Sequence, residues 1–148
     1  MLVDILKSQK PPKWFWLLAS LGLLWNLSGI EEFYDSINAT VDSMVAAGFT
    51  PEQANLYKSL PVWTMVVFGI AVFCGAIGCA LLLLRKKISV KILAISLIAF
   101  SIYYVSDILY GVFAVFGIDE FIVLSIALLS AITMFWLARR SDKNGHLK

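Results

Sequence analysis

VWTMVVFGIAVFCGAIGCALLLLRKK, Val62 to Lys87, decides the fold class. It runs from Val62 to Leu84 without a charged side chain and then meets Arg85, Lys86 and Lys87. A helix needs about 20 apolar residues to cross about 30 Å of hydrocarbon, and this stretch supplies them. Comparable runs cover about 14–33 (opening WFWLLASLGLLWNLSGI), 88–112 and 119–138. Lipid offers no partner to unpaired backbone groups, so isolated runs of this length must be helices. A transmembrane barrel would show alternating segments of about 10 residues, and the sequence has none. The expectation is an all-α, single-domain chain over residues 1–148, a four-helix transmembrane bundle running up-down-up-down. An outer helical segment at about 35–61 joins its first two spans.

Composition agrees with a membrane class. Apolar residues make up 60% of the chain and charged residues 15%, and a water-soluble core cannot hide so much apolar surface. The mean hydropathy is +0.85. A net charge of +2 is too small to argue for a nucleic-acid partner. Cys74 and Cys79 lie on different sides of one helix, which excludes a bond between them.

Placement of the charges gives an orientation. Eleven of the twelve basic residues fall before the first run (Lys7, Lys10, Lys13), between the second and third (Arg85, Lys86, Lys87, Lys91) or after the fourth (Arg139, Arg140, Lys143, Lys148). Lys58 is the exception. Of the acids, only Asp4 and Asp142 share the basic side. The positive-inside rule therefore predicts both termini on the cytoplasmic face. The first run also has the basic leader and apolar stretch of a secretory signal. Its length, its three tryptophans and the lack of an A-x-A site favour a retained helix instead.

Between the first two runs, Val41, Met44 and Val45 recur at helical spacing and Gly48 is a stop signal. Thr50, Pro51 and Gln53 then form a capping box with proline at the first helical position, opening a short helix that Pro61 ends.

Enzyme motifs are missing: no phosphate-cradling glycine loop, no paired-cysteine zinc pattern, no HExxH and no GxSxG. The lone histidine, His146, sits in a charged tail. No enzyme activity and no cofactor are expected. What remains are polar groups within apolar helices, which are functional candidates by default. At about 1.5 Å per residue Asn26 lies about 18 Å into its run, and Tyr103 and Asp107 lie about 22 and 28 Å into theirs, so all share the outer half. Gly22, Asn26 and Gly29 share one stripe of the first helix, with Glu32 at its edge. Ser96, Phe100, Tyr103, Asp107 and Tyr110 share one stripe of the third. Facing stripes would line an outward cavity with Asn26 deepest, tyrosines on the wall and carboxylates at the rim. The candidate ligand-binding set is Asn26, Glu32, Tyr103, Asp107 and Tyr110, with Asp107 leading because apolar sequence continues past it to Phe116. The competing reading is close helix packing, since glycines with an asparagine, and the seam Ala71, Gly75, Cys79, are what interhelical contacts use.

The order of features resembles a small bacterial inner-membrane family with four predicted spans and no established activity, whose members often carry a sugar-transporter label. The matching residues are Pro12-Lys13-Trp14, Trp25-Asn26 with Gly29, Leu56-Tyr57 with Pro61 and Trp63, Phe68 to Lys87, and Ser96-Leu97, spread over two thirds of the chain. The resemblance implies a bacterial inner membrane. On the residues, the first expectation is a protein that binds or moves a small polar or cationic ligand, as a homo-oligomer. The second is a structural subunit docked to a membrane partner.

Overall fold

Apolar runs with no unsatisfied backbone become helices, and the computed structural model, which describes residues 9–148, is helical wherever it is regular. Lys7 and Asp4 lie outside the described residues. The elements are α1 (Lys13–Asn38), α2 (Val41–Ala46), α3 (Pro51–Ser59), α4 (Val62–Leu83), α5 (Ile88–Leu109), α6 (Val112–Phe116) and α7 (Ile118–Lys143). The all-α class stands. Three of these helices, α4, α5 and α7, are long and apolar enough to cross a membrane. At 26 residues α1 has the length, but three tryptophans, Asn26 and the acids Glu31, Glu32 and Asp35 dilute its apolar character.

The outer connection follows its capping signals. Thr50 Oγ1 accepts from the Gln53 N–H at 3.2 Å, and Gln53 Oε1 accepts from the Thr50 N–H at 3.0 Å. The same reciprocal box opens α2 through Thr40 and Ser43. Gly48 closes α2 at φ +105°, a left-handed conformation that costs glycine nothing.

The third run is shorter than its composition predicts. It stops at Leu109 and not at residue 112, because Gly111 (φ +71°) and Gly117 (φ +83°) turn the chain on either side of α6. Apolar content alone hides this break. The residues beyond Leu109 stay apolar because α6 packs on α3: the Phe116 ring lies 6.4 Å from Tyr57 and 6.0 Å from Phe49.

Side-by-side packing puts α1 on α4, α4 on α5 and α5 on α7. Small residues set the α1–α4 contact. A side chain at Gly22 would strike Met134 and Cys79, one at Gly75 would strike Asn26, one at Gly29 would meet Val72 at 2.8 Å, and one at Gly69 would meet Phe33 at 2.9 Å. Positions rise along α1 as they fall along α4, so the two helices are antiparallel and their small-residue seams face each other. Ser96 joins this packing by donating to the Ala71 carbonyl at 2.7 Å, which takes it out of the cavity stripe.

At the basic end the core is closed. Phe15, Cys79, Leu82, Leu137 and Ala138 are fully buried, and Leu147 joins them from the tail. The tail is tied down by its backbone: the Lys148 N–H donates to the Arg85 carbonyl at 2.6 Å and the Lys87 N–H to the Lys148 carbonyl at 3.0 Å. Arg85 Nε donates to the His146 carbonyl at 2.7 Å, and Arg85 Nη2 to the Gln9 carbonyl at 3.1 Å. His146 is therefore buried against the molecule, not free in a charged tail.

Candidate functional site

Towards the acidic end the helices no longer fill the space between them. Helices α1 and α7 meet at Gly22 and Met134, and Arg140 lies over the Trp14 ring at 5.9 Å. Farther out both helices line a cavity of about 690 Å³, with α4 and α5 behind it and α2, α3 and α6 over its mouth. Its walls are mainly apolar and aromatic, including Trp25, Phe68, Phe100, Tyr103 and Phe116. Its charges have one sign: Glu32, Asp35, Asp107 and Glu120 line it, and no lysine, arginine or histidine does.

Asp107 is the most constrained of these. Helix α5 carries it in its last turn, two residues before Leu109, where it is 1% exposed and neither carboxylate oxygen has a hydrogen-bond partner. Burying a charged group unpaired is expensive, so nearly all buried polar groups have partners. Asp107 is thus an exception, and it is part of the cavity's lining. It was expected at the rim, and it lies in the wall instead, because α6 folds back across the end of α5.

Asn26 forms part of the deep wall but is half used by packing. Its Nδ2 donates to the Gly22 carbonyl at 2.8 Å, its side chain rests in the gap left by Gly75, and its Oδ1 has no partner. Apart from Asn26 and Asp107, the one buried side-chain atom without a partner among the described residues is Ser89 Oγ, at the basic end. Tyr103 lines the cavity with its ring 5.0 Å from Phe68, and Glu32 lines it from the open side of α1. Tyr110 is not brought to this set. It is 39% exposed and its ring lies 6.2 Å from Trp63, because the helix ends at Leu109 and the turn carries the side chain to the outside of α4.

Three contributors were not singled out from sequence. Tyr57 descends from α3, and its hydroxyl donates to Ser36 Oγ at 2.8 Å, tying the outer segment to α1. Burial pushes the Tyr57 phenol above its ordinary value; the Ser36 hydrogen bond works the other way, and Glu32, Glu120 and Asp107 add to the rise. The same phenol therefore feels three carboxylates from three helices. Glu120 shares a face of α7 with Leu124 and Ala127, and that spacing was the available signal. Among the described residues no three His, Cys, Asp or Glu side chains converge to hold a metal ion.

No curated protein and no solved structure matches the chain. A family model does match residues 38–147, which include Tyr57, Tyr103, Asp107 and Glu120 but leave Asn26 and Glu32 outside. That match covers most of the chain, which therefore belongs to a family of unknown function, DUF6962.

Proposed function

We propose that this is a non-enzymatic membrane protein, crossing the bilayer four times with both ends at the cytoplasmic face, whose outward cavity binds a small organic cation for transport or sensing. The observation that carries the reading is the cavity's charge: four carboxylates, one of them buried with both oxygens unpartnered, and no basic side chain among its lining. A cation is the ligand that would supply Asp107 with the charge-assisted hydrogen bonds it lacks. Its aromatic walls suit an organic cation through cation–π attraction.

Support for the fourth crossing comes from α1 itself, which lies antiparallel along α4 over the same depth. The distribution of basic residues supports the orientation, and the resemblance supports a bacterial inner membrane. The rival reading, a structural subunit, drew on the small-residue seams. Those seams pack on each other within this chain, which leaves the amphipathic outer segment as the other support for that reading.

Thermal unfolding of the purified protein against a panel of amines, quaternary ammonium compounds and amidines tests this, with neutral sugars as the contrast. A ligand held at 100 times its Kd adds about 2.7 kcal/mol of stability. Asp107→Asn is expected to weaken cation binding about 10- to 100-fold, the worth of a hydrogen bond to a charged group. Stabilisation by sugars and not by cations, or cation binding indifferent to Asp107→Asn, would overturn the proposal.

A further inference from the structure

The cavity does not open only towards water. Trp25 and Ser28 on α1 and Val123 on α7 line it and are exposed, and each stands beside exposed residues of its helix that do not line it, Leu24 and Leu27 on α1 and Ile122 and Ile126 on α7. A residue that borders a cavity and the outer surface at once is a lip of an opening. These lips lie well below the acidic end. Val123 sits about 8 Å along α7 from Ile118, and Gly29, next to Ser28, packs on Val72, about 15 Å along α4 from Val62. At that depth the flank of a membrane helix faces acyl chains.

Resting on the cation-binding reading, we infer that the ligand is a lipophilic organic cation, and that it reaches the cavity from the outer leaflet through the gap between α1 and α7. The chemistry of the wall divides the ligand into two parts. A protonated ammonium head with N–H donors meets Asp107 and Glu120, and an apolar body lies against Phe68, Val72 and Phe100. A volume of about 690 Å³ holds a molecule of drug size and not a single small ion. A phospholipid is a poor occupant despite its acyl chains. Its phosphate would sit among carboxylates with no basic side chain in the lining.

A lateral opening makes a kinetic prediction that a purely aqueous one does not. Narrowing a route slows arrival and departure alike and leaves the equilibrium unchanged, whereas removing a binding group changes the equilibrium. The probe is dibenzylammonium, a lipophilic cation that keeps two N–H donors, with association, dissociation and Kd measured on the full chain in phosphatidylcholine nanodiscs. In the lip variant Ser28→Trp/Val123→Trp both rates are expected to fall at least tenfold with Kd within threefold of the parent. In Val123→Ala, which widens the gap, both rates are expected to rise at least threefold with Kd within threefold of the parent's, and this variant keeps the test alive if the tryptophan pair does not fold. Asp107→Asn is expected to raise Kd at least tenfold. Rates that ignore both lip variants while Kd still responds to Asp107→Asn overturn the lateral route and leave the cation site standing. Probe binding that ignores Asp107→Asn overturns the cation site, and the inference with it.

Discussion

The two ends of this molecule are built from the same four long helices to opposite effect. At the basic end all of them close on Phe15, Leu82 and Leu137, and the tail adds Leu147 as a plug held by backbone hydrogen bonds to Arg85 and Lys87. At the acidic end α1 and α7 separate, and the space between them is bordered by Asp107, Glu120 and Glu32. Apolar content alone does not make the difference, since α4, α5 and α7 are strongly apolar helices that reach both ends. The difference comes from where small residues let backbones approach, and from like charges that have no partner to draw them together. The Asn26–Gly75 contact marks the border between the two halves.

Equivalent truncations at the two ends should therefore differ. Phe15→Ala at the closed end is expected to destabilise by about 3–5 kcal/mol, since it empties a fully packed site. Phe100→Ala should cost less than half of that, because one side of Phe100 already borders the cavity. Thermal or denaturant unfolding in a single detergent compares them, and equal losses would dissolve the contrast. At the border, Gly75→Val would drive a branched side chain into Asn26 and is expected to cost about 1–3 kcal/mol. Adding Asn26→Ala should restore much of it, and a strictly additive double mutant would show that the two residues do not compete for one space.

The hollow end should also respond with the opposite sign. Asp107→Leu removes a buried carboxylate that nothing pairs and supplies apolar volume in its place. Such replacements are often neutral or stabilising, and an increase of about 1–2 kcal/mol is expected together with loss of cation binding. Functional groups kept at the expense of stability behave in this way. A large destabilisation by Asp107→Leu would mean that the carboxylate holds the fold, and the cavity would lose its best argument as a site.

Much of this contrast was legible in the sequence. Eleven of twelve basic residues marked one end, the capping box at Thr50 located α3 to the residue, and depth counting placed Asn26, Tyr103 and Asp107 in one half. Counting failed where the backbone turned. Gly111 and Gly117 sit in a run whose apolar character never changes, so the third helix was drawn too long and Tyr110 was assigned to a stripe that ends before it. Tyr57 and Ser36 were out of reach for another reason. They meet across 21 residues of sequence, and no local period reports a contact set by how an outer segment folds back over its helix. Four spans were expected, and three helices are long and apolar enough by themselves; α1 shows why, because the residues that line the cavity are the ones that lower its hydropathy.

The smallest effect concerns the lid over the hollow end. Tyr57→Phe removes the hydrogen bond to Ser36 and is expected to cost about 1 kcal/mol at neutral pH. Its more telling signature is alkaline. The phenol's folded pKa lies above the ordinary value of 10.0, so the folded state holds this proton more firmly than the unfolded state does. The associated stability is fully present below the unfolded pKa and is lost as the pH rises through the folded one. The parent should therefore lose stability above pH 10 more steeply than Tyr57→Phe, which lacks the group. Unfolding midpoints measured across that range decide the matter. Parallel curves for the two proteins would mean that the phenol sits in water, and that the outer segment does not cover the carboxylates beneath it.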